Sequence, residues 1–233
     1  MTKTNDMRAL IQNRIRGALA DVPADEQPGD VAVPREYGTA RHAEGAPDAR
    51  QRARLIDVFL ERAGDYRAEV FRSTDSAAPR LIADLLTRQG ISKLVVPPGF
   101  PDAYLSAAEH PALLRDGPPL SVAALDAAHG VITTCAHAVA DTGTIILDAG
   151  AGQGRRALTL LPDYHLCLVR ADQIAASVPD AIQRLDPARP LTLISGPSAT
   201  SDIENTRVEG VHGPRTLHII VIEPDGEHRT DPS

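Results

Sequence analysis

The stretch that predicts the fold class most clearly is AAPRLIADLLTRQGISKLVVPPG, residues 77–99. Its first part carries apolar residues at helical spacing and ends at Gly90, a residue type that commonly follows the last turn of a helix. The run Ser92–Val96 then predicts a short buried strand, because Pro97, Pro98 and Gly99 stop it. A helix followed directly by a short apolar strand is typical of α/β proteins with a mainly parallel sheet.

The same alternation continues on both sides of this stretch. We predict further strands at Ala68–Phe71, Leu120–Ala124, Val131–Thr134, Thr144–Leu147, Tyr164–Val169, Leu191–Ile194 and Thr216–Ile222, and helices over Ala77–Gln89, near Pro101–Glu109 and over Asp172–Leu185. The expected fold is therefore α/β, with a mainly parallel sheet flanked by helices on both faces.

The N-terminal part of the chain has a different composition. Residues 4–20 and 48–63 carry apolar side chains at helical spacing, whereas residues 21–48 between them are rich in Pro, Gly, Asp and Glu. We predict an N-terminal helix and extended connector over residues 1–50 and the main domain over residues 51–233. An isolated helix of this length is marginal in water, so we expect 4–20 to pack on the main domain or on a second subunit.

Charge and composition exclude several classes of function. A net charge of −7 and an aromatic content of only 3% argue against a nucleic-acid partner. Two cysteines, Cys135 and Cys167, cannot supply the four thiolates of an iron–sulfur cluster and do not indicate a disulfide framework. No apolar run is long enough to span a membrane and residues 1–20 contain no signal-peptide core, so we expect a cytoplasmic protein.

The first candidate site is the loop SGPSATSDIE, residues 195–204. Because it follows the predicted strand Leu191–Ile194, we expect it at the carboxyl end of a strand, where open α/β sheets bind ligands, and lining the principal pocket. It offers a glycine for close backbone approach, hydroxyl groups, and two carboxylates for a cation, an amine or acid–base chemistry. The alternative is a capped turn with a solvated acidic pair. Its candidate ligand-binding residues are Gly196, Ser198, Thr200, Asp202 and Glu204.

Three further glycine-containing turns are candidates. Residues 142–144 form a polar turn before a predicted strand. Residues 150–156 are either a flexible turn or an anion-binding loop with an arginine ligand. Residues 209–215 contain a histidine that either titrates near neutral pH or belongs to an ordinary turn. The candidate ligand-binding residues in these turns are Thr142, Gly143, Thr144, Arg155, His212 and Gly213.

Residues 135–141 contain side chains of types that bind metals. Cys135, His137 and Asp141 stand close together in the sequence, but their spacing matches no strong zinc pattern. We therefore expect no metal, and we expect His165, which lies within a predicted strand, to be a core residue.

Four of these segments, in this order and spacing, resemble the LUD domain. They are Asp141-Thr142-Gly143-Thr144, Gly154-Arg155 together with Leu160-Leu161-Pro162 and His165, residues 196–204, and Gly210-Val211-His212-Gly213-Pro214. Residues 33–37 and 65–68 also resemble the N-terminal part of the lactate utilization protein C type of this family.

The resemblance implies a core similar to the superfamily of ribose-5-phosphate isomerase, glucosamine-6-phosphate deaminase and CoA transferases. It also implies an accessory or ligand-binding subunit in the oxidation of L-lactate to pyruvate, working with iron–sulfur partner proteins and binding no cofactor itself. The alternative is a stand-alone enzyme that acts on a small phosphorylated or CoA-linked carboxylate. Both functions are compatible with a small anionic ligand.

Overall fold

The chain divides into two compact units, residues 1–41 and residues 42–233. The larger unit, residues 42–233, contains a sheet of parallel strands. The computed structural model describes residues 2–20, 47–109, 111–200, 208–209 and 213–226, with side chains over 7–20, 47–109, 111–198 and 213–226. The described strands are β1 Glu69–Thr74, β2 Lys93–Val96, β3 Ala112–Arg115, β4 Gly130–Thr134, β5 His137–Val139, β6 Thr144–Leu147, β7 Tyr164–Arg170, β8 Ile174–Ala175, β9 Thr192–Ile194, β10 Ala199–Thr200, β11 Val208–Glu209 and β12 Thr216–Glu223. The described α-helices are α1 Thr2–Ala18, α2 Ala49–Asp65, α3 Ala78–Arg88, α4 Val122–Asp126 and α5 Val178–Ile182.

The main sheet has six parallel strands in the order β1-β12-β7-β4-β2-β3. Its two faces are both covered. Ile56 and Phe59 of α2 pack in one cluster with Ile219 and Val221 of β12, and α3 packs in another with Ile220 and Ile222. Because successive side chains of a strand point to opposite faces, burial of both sets requires cover on both faces. The predicted α/β class with a mainly parallel, helix-flanked sheet is confirmed.

A second, four-stranded sheet has the order β8-β5-β6-β9. In it β5 pairs antiparallel with β6, and β6 pairs antiparallel with β9. The expectation that Thr144–Leu147 and Leu191–Ile194 belong to one parallel sheet is therefore wrong. The reason is loop length, because the few residues between β5 and β6 allow a hairpin, whereas a parallel crossover needs about a dozen.

Three segments differ from their predicted secondary structure, and the sequence did not predict β3 and β5. The helix predicted near Pro101–Glu109 is only a short 3-10 helix, Asp102–Leu105. The predicted strand Leu120–Ala124 is instead the start of α4, whose N-cap Ser121 accepts a hydrogen bond from the Ala124 amide. The predicted helix Asp172–Leu185 is divided into β8 and the short helix α5. Ser177 caps α5 and Pro179 stands in its first turn, so a new helix begins there.

The N-terminal unit contains α1, and its apolar side chains are half exposed. Met7, Leu10, Ile11, Ile15 and Leu19 expose between 50% and 59% of their surface. The packing of this helix on the main domain or a second subunit stays a prediction. The connector predicted over residues 21–48 lies almost wholly outside the described residues. None of the described helices is long and apolar enough to cross a membrane.

Candidate functional site

A cavity of about 520 Å³ lies at the carboxyl-end edge of the main sheet. Thr134 ends β4, Arg170 ends β7 and Ile222 is next to the last residue of β12, and all three line the cavity. Open α/β sheets bind their ligands in the crevice outside the carboxyl ends of the strands. The cavity therefore occupies the position at which this fold class is expected to bind a ligand.

One wall of the cavity is the loop of residues 148–154, which fits tightly against two strand ends. The Gly152 amide donates to the Pro98 carbonyl at 2.8 Å, and the Thr134 amide donates to the Gly152 carbonyl at 2.8 Å. Gly152 has a φ of +75°, and a Cβ atom there would stand 2.7 Å from the Thr134 hydroxyl oxygen. Any other residue would strain the backbone at this positive φ and displace the Thr134 side chain.

Most amides of this loop donate to the protein itself. Gly150 donates to the Asp148 carboxylate at 3.0 Å, and Gln153 and Gly154 donate to the Gly150 carbonyl at 3.1 and 3.3 Å. A phosphate-cradling loop needs free amides that point at the anion. The hydrogen bonding thus favours the turn interpretation of residues 150–156 over the backbone anion-binding one.

Polar side chains surround the cavity. Arg189 donates to the Asp148 carboxylate at 2.6 Å, and Asp148 is only 7% exposed. The Asp148 amide donates to the Gln153 side-chain carbonyl at 2.6 Å, and Gln153 is 6% exposed. The ion pair and the hydrogen bond hold the Asp148 and Gln153 side chains in fixed positions at the cavity wall.

His137 also lines the cavity, and its proton position follows from its partner. The ring Nδ1 lies 3.3 Å from the backbone carbonyl of Gln173. A carbonyl oxygen only accepts, so in the neutral form of the ring the proton lies on Nδ1 and Nε2 is an acceptor for a ligand or water. Gln173 is itself held, because its side-chain amide donates to the Cys135 carbonyl at 2.9 Å.

The two cysteines meet beneath the cavity. The hydrogen bond that the Cys135 thiol donates to Cys167, together with burial, raises the pKa of Cys135 well above its usual range. The thiolate is the form that attacks electrophiles and binds metals, so the raised pKa disfavours the reactive form of Cys135. Among the described residues, no group of three or more His, Cys, Asp or Glu side chains converges as a metal site.

A smaller pocket of about 260 Å³ lies at the opposite edge of the main sheet. His165 and Leu217, near the amino ends of β7 and β12, line it together with residues 195–198 and Gly213. His165 is buried, as predicted, and its Nε2 lies 2.8 Å from the Thr133 hydroxyl. Burial lowers the pKa of His165 to about 4, so the ring is neutral at physiological pH.

Comparison with known proteins identifies the family. Residues 120–222 match the LUD domain. The chain is 46% identical to lactate utilization protein C of Deinococcus radiodurans over 180 residues, which cover 76% of this chain and 83% of that relative. The chain belongs to the LUD domain family. It is of the lactate utilization protein C type, and the resemblance drawn from the sequence motifs is confirmed.

Two further relatives extend this comparison. Lactate utilization protein C of Geobacillus kaustophilus is 28% identical, over 72% of this chain and 78% of its own length. The crystal structure of a DUF162 family protein from Deinococcus radiodurans is 42% identical, with a TM-score of 0.64 over 73% of this chain and 98% of that chain. The LUD fold is thus shared with a solved structure.

Two glycines of the LUD motifs rest against the end of α2. Gly143 has a φ of +60°, and a Cβ atom there would overlap the Ala63 backbone nitrogen. Gly196 has a φ of +79°, and a Cβ atom there would overlap the Tyr66 carbonyl oxygen. Close packing against α2 therefore accounts for both glycines, although the sequence suggested them as ligand-binding positions.

Hydroxyl groups of these motifs connect the turn at residues 142–144 to the turn that begins at Ser195. Thr144, which is buried, places its hydroxyl 2.7 Å from that of Thr142 and 2.7 Å from that of Ser195. Residues 195–198 do follow a strand, as predicted. However, β9 runs antiparallel in the second sheet, so these residues reach the smaller pocket and not the 520 Å³ cavity.

Arg155, the arginine of the Gly-Arg motif, holds two loops together. Its guanidinium donates to both carboxylate oxygens of Asp116 at 3.0 Å and to the Leu120 carbonyl at 2.7 Å. Asp116 is 6% exposed, and burial acts to raise its pKa, but the bonds from Arg155 and from the Leu120 amide hold that pKa below its ordinary value. These bonds assign Arg155 a structural role.

Several predicted site residues lie outside the described part of the chain. They are Asp202, Glu204 and His212, together with the side chain of Thr200. The sequence interpretation also missed residues that line the larger cavity. Gln153 lies in a loop chosen for its glycines, and Arg184 and Arg189 follow α5 without any motif. The only sequence signal of these two arginines is their positive charge in an acidic chain.

Proposed function

We propose that this chain is a ligand-binding component of a lactate-utilization system that oxidises L-lactate to pyruvate. The observation that carries the proposal is the 46% identity with lactate utilization protein C of Deinococcus radiodurans over most of the chain. The cavity at the carboxyl edge of the sheet supports the ligand-binding part, because it combines fixed polar side chains with apolar surface.

The proposal includes iron–sulfur partner proteins. Oxidation of lactate releases two electrons, which need an acceptor. With only two cysteines in the chain, a four-thiolate cluster cannot be assembled here, and the thiol of Cys135 stays protonated. In this proposal the chain binds no cofactor, and the electrons pass through clusters in its partners.

Deletion of the coding sequence in the organism that encodes it tests the role in lactate use. We expect the deletion strain to grow poorly on L-lactate and normally on pyruvate, and the intact chain to restore growth. Normal growth on L-lactate would overturn the proposal. Affinity purification of the tagged chain from lactate-grown cells tests the partners. Recovery of iron-containing proteins is expected, and recovery of the chain alone after mild cross-linking would contradict this part.

A stand-alone enzyme that acts on a phosphorylated or CoA-linked carboxylate is the second candidate. The observation that favours it is the presence of Arg170, Arg184 and Arg189 at one cavity in a chain of net charge −7. Purified chain without partners, incubated with such esters, tests it. Turnover supports the enzyme, and no turnover across the set favours the subunit.

A further inference from the structure

Three arginines, among them the exposed Arg184, line the 520 Å³ cavity together with two aspartates, Asp148 and Asp186. Arg189 is paired with Asp148 at 2.6 Å, and Arg170 lies 3.3 Å from Asp172. Within the described residues, the guanidinium of Arg184 makes neither an ion pair nor a hydrogen bond, although Arg184 lines the same cavity. An arginine with unused donors binds carboxylate or phosphate through paired hydrogen bonds.

The wall of the cavity adds an unused donor. Gln153 is more than nine-tenths buried, and its side-chain carbonyl accepts from the Asp148 amide at 2.6 Å. That bond fixes the orientation of the side chain. In the described part of the chain its Nε2 has no hydrogen-bond partner, and this atom retains surface because Gln153 lines the cavity. A buried amide donor without a protein partner is costly unless a ligand or water accepts from it.

The size and apolar lining of the cavity determine the ligand class. Binding sites of 300–1,000 Å³ usually hold ligands of cofactor or drug size. The cavity, at about 520 Å³, is far larger than lactate needs. Pro101 and Leu185, which are not buried, give it an apolar side. The hydroxyl of Tyr104 donates to Asp75 at 2.6 Å, so its polar end already has a partner and its ring remains for apolar contact.

We propose that this cavity binds an organic acid with a larger apolar body than lactate. Arg184 holds the acid group, Gln153 and the Nε2 atom of His137 bind the polar groups beside it, and the apolar body lies against Tyr104 and Leu185. The inference deepens the proposed function, since it takes the cavity as the ligand site of that function.

Isothermal titration of the full chain with L-lactate and L-3-phenyllactate tests the proposal. The two probes share the carboxylate and the hydroxyl and differ only in the aromatic body. Phenyllactate is expected to bind at least about tenfold tighter than lactate. The uncharged analogue 3-phenyl-1,2-propanediol is expected to bind at least about tenfold more weakly than phenyllactate, because it cannot pair with Arg184.

Two matched variants locate the site. Arg184→Gln should weaken phenyllactate binding by about tenfold, the effect of losing one charged hydrogen-bonding partner, without changing the melting temperature. Arg88→Gln, which changes an exposed arginine on α3, should leave binding unchanged. Equal binding of lactate and phenyllactate, equal binding of the uncharged analogue, no binding of any probe, or no effect of Arg184→Gln would overturn the inference. Growth of the deletion strain on L-lactate tests the proposed function separately. The proposed function and the inferred ligand class can therefore fail independently of each other.

Discussion

Replacement of Gly143 by alanine should destabilise the chain far more than the same change at Gly90. Both glycines have left-handed backbone conformations, with φ of +60° and +64°. A Cβ atom on Gly143 would come within 2.7 Å of the Ala63 Cα and would overlap the Ala63 backbone nitrogen, whereas one on Gly90 would meet nothing within 4 Å. The pair therefore separates backbone strain from steric overlap.

The expected losses in the free energy of unfolding follow from backbone strain and steric overlap. A left-handed alanine costs about 1–2 kcal/mol relative to glycine. Overpacking adds about 1–3 kcal/mol, and relief is limited at Gly143 because the neighbour is helix backbone. We expect Gly90→Ala to lower the free energy of unfolding by about 1–2 kcal/mol and Gly143→Ala by about 2–5 kcal/mol.

Thermal and urea denaturation of both variants measure the difference. For a chain of this size, about 1 kcal/mol corresponds to a melting-temperature change of roughly 2–4 °C. Gly143→Ala should therefore melt on the order of 10 °C below the wild type, and Gly90→Ala a few degrees below it. If the two variants lose equal stability, then contact with α2 does not explain Gly143, and its role as a ligand-binding position regains support.

Three other outcomes are expected. His165 binds a proton near its usual pKa of 6.5 in the unfolded chain and only near 4 in the folded chain. The free energy of unfolding should therefore fall by up to about 3 kcal/mol as the pH drops through this window. His165→Gln should flatten this part of the plot of stability against pH, and an unchanged pH dependence would contradict the assignment. Asp116→Asn should lower stability by about 1–3 kcal/mol in urea titrations, because it weakens the buried bonds to Arg155 and the Leu120 amide; no loss would mean that the pair is dispensable. The thiols of Cys135 and Cys167 should react slowly with a disulfide reagent in the folded chain and quickly in guanidinium. Both thiols are buried in the folded chain, and the pKa of Cys135 is raised. Rapid reaction of the native protein would refute this expectation.

The main sheet was predictable because its strands are short apolar runs between helices. Tyr164–Val169 and Thr216–Ile222 were predicted almost to their observed limits, since burial on both faces leaves an unbroken apolar signal. The second sheet was not predictable in this way. Thr144–Leu147 has the same apolar composition as a central parallel strand, and only its pairing with β5, a strand that the sequence did not suggest, reveals its direction.

The candidate site was less predictable than the fold. Glycines such as Gly143 and Gly196 attract attention in a sequence, but here their positive φ and their contact with α2 explain them. The larger cavity is assembled from residues that are distant in the chain, from Pro101 to Ile222. Such convergence leaves no local pattern, so only the three-dimensional arrangement brings these side chains together.

The position of β12 has a consequence for biosynthesis. It follows the other strands of the main sheet in the chain, yet it lies inside the sheet, between the edge strand β1 and β7. A ribosome therefore releases β1 and β7 long before the strand that joins them, and two unpaired strand edges face solvent during that interval. A nascent chain stalled before Thr216 would expose an open sheet to chaperones and proteases. Loss of β12 would separate β1 from the rest of the sheet, whereas loss of the edge strand β3 would remove only one partner.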